Sequence, residues 1–143
     1  MLERIVVALD GSERADKALD YALTLARSTK GKLHIVHILD HRTTATLRRL
    51  ITPNEPKVFE RLDESGRELL QLATERCARW DVPVTVYRTE GIVAHEICVA
   101  AREFGADLIV MGSHGRTGAA GAVLGSVAQG VLAGAPCAVF LVK

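Results

Sequence analysis

Ile5-Val6-Val7-Ala8-Leu9-Asp10-Gly11-Ser12 stands near the start of the chain. Its unbroken apolar run, Ile5 to Leu9, fits a strand buried on both faces, the kind found in parallel sheets. Asp10-Gly11-Ser12 ends that strand. Ser12 is a good helix N-cap, and Glu13 suits the positive end of the helix that follows. Ala15, Ala18, Leu19, Ala22, Leu23 and Ala26 then recur at helical spacing. Gly31 is read as the cap that closes this helix.

The same alternation continues outward. Leu33 to Leu39 reads as a second strand, Val82 to Tyr87 as a third, Asp107 to Met111 as a fourth and Cys137 to Val142 as the last, started by Pro136. Val58, Leu62, Leu69, Ala73, Cys77 and Trp80 mark a long amphipathic helix; Ala94, Ile97, Cys98 and Ala101 mark a short one. A final helix is expected from about Gly121 to Ala133. His41 to Pro56 is polar, rich in Thr and Arg, and holds two prolines, so it reads as a long connection. Strands alternating with helices give an α/β fold whose parallel sheet has right-handed crossovers. Ligands of such sheets bind beyond the carboxyl ends of the strands, where the strand order reverses. Asp10 and Gly112 each follow a strand and would share that rim.

The segment after the fourth strand carries the chemistry. It reads Val110-Met-Gly-Ser-His-Gly-Arg-Thr-Gly-Ala-Ala-Gly-Ala-Val-Leu-Gly-Ser126. Backbone N–H groups after a strand, ending at a helix N-terminus, form an anion cradle. The Walker pattern is absent, because no lysine occurs between Lys57 and Lys143. The G-x-G-x-x-G fingerprint fails as well. A phosphate here would be held by backbone N–H groups, Ser126 and Arg116. A Gly/Ala-rich loop feeding a tightly packed helix is the competing reading.

Composition sets the outer bounds. With 143 residues the chain has the size of one domain, taken as residues 1–143. A net charge of +1 and 4% aromatic residues give no case for nucleic acid. No apolar run is long enough for a membrane span. The first strand begins at once with no signal-peptide pattern. Cys77, Cys98 and Cys137 fall on expected apolar faces, which fits buried thiols in a reducing cytoplasm.

Taken together these residues resemble the universal stress protein family over nearly the whole chain. The likeness rests on Ile5-Val-Val-Ala-Leu-Asp-Gly-Ser12, Gly91, Ala106-Asp-Leu-Ile-Val-Met-Gly-Ser-His-Gly-Arg-Thr-Gly118, Leu124-Gly-Ser-Val127 and Ala135-Pro-Cys137. The Gly112-x2-Gly115-x9-Gly125-Ser126 spacing is similar to that of the family's ATP-binding branch. The resemblance implies an open five-stranded, Rossmann-like sheet of order 3-2-1-4-5 with helices on both faces. It also implies a cytoplasmic homodimer with a regulatory role in stress response. By the same resemblance, Asp10 would meet the ribose or the Mg²⁺–phosphate region, and the Ile38 backbone would meet adenine. Met111 and Gly112 would line the nucleoside end. Gly115, Gly125, Ser126 and Val127 would hold the phosphates of ATP, ADP or AMP, with His114 and Arg116 beside their path. This chain departs from the family at Ala119-Ala120-Gly121, where relatives often carry a bulky apolar residue and basic ones.

Several residues carry blander readings. Asp10 could serve only the turn into the first helix. Ser113 beside His114 invites a hydrolase reading, but the nucleophile-elbow pattern is absent and adjacent side chains are expected to point apart. His34 and His37 lie an odd number apart, on opposite faces of a strand, so they are not a metal pair. Arg42, Arg48 and Arg49 would be either solvated or a charged lid over bound phosphates. Trp80 is read as packing. With neither a Walker lysine nor a strong general base, no catalytic residue is assigned, and at most slow ATP hydrolysis is expected. The alternative function is a nucleotide-free dimeric module that binds a protein partner; a true enzyme acting on a phosphorylated small molecule is a third.

Overall fold

The computed structural model describes residues 1–50, 57–114 and 124–143. Strands β1 (Arg4–Ala8), β2 (Lys32–Asp40), β3 (Val84–Gly91), β4 (Leu108–Gly112) and β5 (Ala138–Val142) form one parallel sheet. Its order is β3-β2-β1-β4-β5, as the resemblance implied. Helices α1 (Glu13–Thr29) and α3 (Lys57–Arg79) cover one face; α4 (Val93–Phe104) and α5 (Ser126–Gly134) cover the other. Strand residues divide between two cores by alternation. Ile5, Val7, Leu33, Ile35 and Val110 pack with α1 and α3, while Val6, Val36, Ile109 and Met111 pack with α4 and α5.

The start of α1 follows the sequence reading: Ser12 caps it, its hydroxyl accepting the Ala15 N–H at 3.2 Å. The end does not. The left-handed residue there is Lys30 (φ 56°), whose N–H reaches the Ala26 and Arg27 carbonyls. Gly31 meets a different need: a Cβ on it would lie 2.8 Å from the Glu3 carbonyl oxygen.

The connection expected at His41 to Pro56 contains a helix, α2 (His41–Leu50). Its support is polar and partly tertiary, which hydrophobic periodicity does not report. Asp40 accepts the Arg42 N–H at 2.9 Å, Thr44 is buried against Glu90 and the His41 carbonyl, and Arg48 lies over the Phe59 ring. The third strand begins at Val84 and runs beyond Tyr87 to Gly91, its polar end paired with His37 to Asp40 of β2. The last helix begins at Ser126, since Leu124 and Gly125 precede it; residues 121–123 lie outside the described set.

Two contacts give tests of the fold. An added Cβ at Gly130 of α5 would stand 2.7 Å from the Ala94 Cβ of α4. Gly130→Val is therefore expected to push the helices apart at a cost of about 1–3 kcal/mol. Denaturant unfolding measures it, and Ala94→Gly should recover part of the loss. Asp107 accepts the N–H groups of Glu3 and Arg4 at 3.0 Å each, tying the starts of β4 and β1. Those bonds hold its carboxyl below the usual aspartate range. With the folded value depressed, the stabilisation is complete above the ordinary aspartate pKa of about 3.9. It is lost as pH falls through the folded value. Asp107→Ala should be less stable at neutral pH and lose less on acidification, read by thermal melts from pH 7 to pH 2.

Candidate functional site

A cleft of about 290 Å³ opens at the carboxyl ends of β1 and β4. That is the switch point, since β1 continues to β2 on one side and β4 lies on the other. The volume sits at the lower end of roughly 300–1,000 Å³ for small-molecule clefts.

Eight residues singled out in the sequence line this one cleft: Asp10, Ile38, Met111, Gly112, His114, Gly125, Ser126 and Val127. Gly115 and Arg116 lie outside the described residues, as does Ala119-Ala120-Gly121. The inner wall is apolar, with Val36, Ile38, Val93, Ile97 and Met111. Ile97 and Val36 were legible in the sequence only as helix and strand residues, and Val93 was not singled out at all; the topology brings all three to the cleft.

Three backbone devices shape the polar end. Gly11, at φ +84°, turns the chain from β1 into α1. Asp10 accepts the Ser12 N–H at 2.9 Å, so it does serve the turn; a carboxylate keeps further lone pairs for a ligand. Gly112 lets β4 end close to α1, since a Cβ there would fall 2.9 Å from the Arg14 Cβ. Ser113, just after β4, bonds both to β5 and to the residue before α5. Ser113 N–H donates to the Val142 carbonyl at 2.8 Å, and the Gly125 N–H donates to the Ser113 carbonyl at 2.9 Å.

The N-terminus of α5 faces this space. Gly125 is its N-cap and supplies no side-chain acceptor, in contrast to Ser12 at α1. The first N–H groups of a helix have no partner inside it. Ser126, Val127 and Ala128, which carry them, line the cleft. Gly125 itself sits at φ −69°, ψ 156°, a backbone open to any residue. A substitution there would act by filling space and would meet no backbone strain.

Ser113 and His114 meet, against expectation. The buried Ser113 Oγ lies 3.1 Å from His114 Nδ1. The histidines of β2 part as expected. His34 bonds Thr85 and stacks on Phe104 on the α4 side, where burial holds its pKa down, while His37 turns toward Gly66 of α3. Cys77 and Cys98 are buried, and burial raises both thiols; Cys137 is half-buried. Trp80 packs beside the first core under Arg27. Two of the three arginines of α2 are engaged elsewhere: Arg42 pairs with Asp40, and Arg48 lies near Glu90. No α2 residue lines the cleft.

Among the described lining residues the only ionisable side chains are Asp10 and His114. Among the described residues, the α5 N–H groups and helix dipole are what would attract an anion. No group of three His, Cys, Asp or Glu side chains among the described residues could hold a metal ion. No described helix is long and apolar enough to cross a membrane.

The comparisons agree with this geometry. The chain is 34% identical over 148 residues to universal stress protein YxiE of Bacillus subtilis, covering all of both chains. Its fold matches that of protein MJ0577 with a TM-score of 0.86 and 26% identity, covering 100% of this chain and 96% of that one. It also matches the universal stress protein of Archaeoglobus fulgidus solved in complex with dAMP, with a TM-score of 0.69 and 26% identity over the whole of both chains. The family model for universal stress proteins matches residues 1–143. On this evidence the chain belongs to the universal stress protein family.

Proposed function

We propose that the cleft binds an adenine nucleotide (ATP, ADP or AMP) and that the protein is a cytoplasmic regulator of the stress response. The observation that carries this is the N-terminus of α5, which lacks a side-chain cap and opens into a cleft with an apolar inner wall. The base and sugar would lie along Val36, Ile38 and Met111, with Asp10 at the ribose. The phosphates would meet Ser126 and Val127 N–H groups and the Ser126 hydroxyl. That a relative of the same fold was solved with dAMP supports the same assignment. Mg²⁺ would be carried by the phosphates, with Asp10 as the one carboxylate of the described lining within the cleft; it would offset phosphate charge there.

Hydrolysis is expected to be slow or absent. No lysine occurs between Lys57 and Lys143 to stabilise a transferring phosphoryl group. Purified protein with ATP·Mg²⁺ should show turnover far below the ordinary enzyme range of about 1–10³ s⁻¹. Turnover inside that range, lost in Asp10→Ala, would make this an enzyme.

The protein would act as a homodimer through β5. That strand is a sheet edge, and Phe140 on it is exposed beside the exposed Tyr21. The other edge, β3, carries Arg88 and Glu90, charges of the kind that blunt edge pairing. The β5 edge also supports the second reading, a nucleotide-free module that binds a protein partner. Nucleotide extracted from protein purified out of cells, and identified by mass, separates the two: a bound adenine nucleotide favours the first, and a thermal melt unmoved by millimolar ATP, ADP and AMP the second.

A further inference from the structure

His37 lies on β2, on the sheet face that packs against α3, and it does not line the cleft. It nevertheless touches the cleft's frame. Its Nδ1 stands 2.8 Å from the carbonyl oxygen of Leu9. A carbonyl only accepts, so Nδ1 carries the proton and donates it. Leu9 follows the end of β1 and immediately precedes Asp10, and both line the cleft.

The turn from β1 to α1 is thus held by a short series of bonds. The Leu9 N–H donates to the Val36 carbonyl at 2.9 Å, the Leu9 carbonyl accepts from His37, and Asp10 accepts the Ser12 N–H. Only the middle bond comes from a side chain outside the turn. It fixes the plane of the Leu9–Asp10 peptide, and with it the direction in which Asp10 leaves the backbone. The ring is itself held. A Cβ on Gly66 of α3 would come 3.0 Å from His37 Cδ2, so α3 leaves room for an imidazole and little more. Arg88, opposite His37 in the β2–β3 register, is pinned by Asp63 of α3.

We infer that His37 is a positioning residue for the cleft, acting through the Leu9 carbonyl to set the Asp10 carboxylate toward the ligand. The inference rests on the nucleotide reading of the same site for its binding readout and stands on the turn geometry for the other.

The test uses His37→Leu, which keeps bulk and loses the donor, and His37→Asn, whose amide N–H replaces Nδ1–H. The Kd for AMP and ATP should rise roughly two- to tenfold in His37→Leu, the range of one lost hydrogen bond. It should return toward wild type in His37→Asn. In an Asp10→Ala background, His37→Leu should add nothing further, because its effect passes through Asp10. Amide exchange in the ligand-free protein reads the turn directly. The Ser12 N–H should exchange faster in His37→Leu and be restored in His37→Asn. Unchanged Ser12 exchange overturns the inference whether or not nucleotide binds. So does an AMP affinity in His37→Leu equal to wild type, or a loss that simply adds to that of Asp10→Ala. A wild type that binds no nucleotide, with Ser12 exchange still answering to residue 37, would overturn the nucleotide reading and leave the positioning role standing.

Discussion

Ser126→Pro should abolish the proposed nucleotide binding and leave the fold intact. Ser126 is the first residue of α5, where proline's fixed φ suits a helix and its missing N–H breaks no intrahelical bond. The residue before a proline must be extended, and Gly125 already is, at φ −69° and ψ 156°. The substitution therefore removes two donors, the Ser126 N–H and its hydroxyl, at little structural cost. Each hydrogen bond to a charged group contributes about 1.5–3 kcal/mol. Losing both should weaken nucleotide binding on the order of 10²–10⁴-fold. Ser126→Ala removes only the hydroxyl and should fall between the two. A Ser126→Pro protein with an unshifted melt and wild-type affinity would mean that the phosphates lie elsewhere.

Proline in the outward half of β5 should abolish the proposed dimer. The Ser113 N–H bonds the Val142 carbonyl, so the backbone of Val142 faces β4. Backbone groups alternate sides along a strand, so Ala138 and Phe140 also face β4. Val139 and Leu141 then point their N–H and C=O groups to the open edge. Val139→Pro or Leu141→Pro deletes an outward donor and leaves the β4 ladder whole. A two-fold axis applies each change twice. At about 0.5–1.5 kcal/mol per bond, one substitution weakens the dimer by roughly 1–3 kcal/mol, and the double variant by about twice that. Sedimentation of the wild type should show a dimer at micromolar concentration, and the double variant a folded monomer. A monomeric wild type, or a dimer that survives both prolines, would contradict the β5 interface.

Legibility in the sequence followed the kind of force at work. Where apolar burial dominates, the elements stand close to where the pattern put them: β1, β4 and α1 are runs and stripes of fully buried residues. Where polar contacts dominate, the pattern was silent. Helix α2 has only Thr44 buried and is held by Asp40, Glu90 and the Phe59 ring, so nothing in its periodicity announced it. The polar end of β3 is strand because β2 supplies a ladder, a nonlocal cause. Lys30 takes the left-handed place beside a glycine because Gly31 is needed against Glu3 and Leu2. In the cleft, Gly112, Gly125 and the strand-end Asp10 could be read from order alone. Val93 and Ile97 could not, since a residue that walls a cleft and one that fills a core carry the same apolar signature. Nor could the His37 contact with Leu9, which joins residues 28 apart in sequence.

The central claim is that the cleft between β1 and β4 is a nucleotide site, and isothermal titration calorimetry of the wild type with ATP, ADP and AMP, each with Mg²⁺, tests it most directly. At least one nucleotide should bind at one site per chain with saturable heat, and Ser126→Pro should abolish that heat while its melt stays at the wild-type temperature. Absence of heat with all three at millimolar concentration, or saturable binding that Ser126→Pro leaves unchanged, would contradict it.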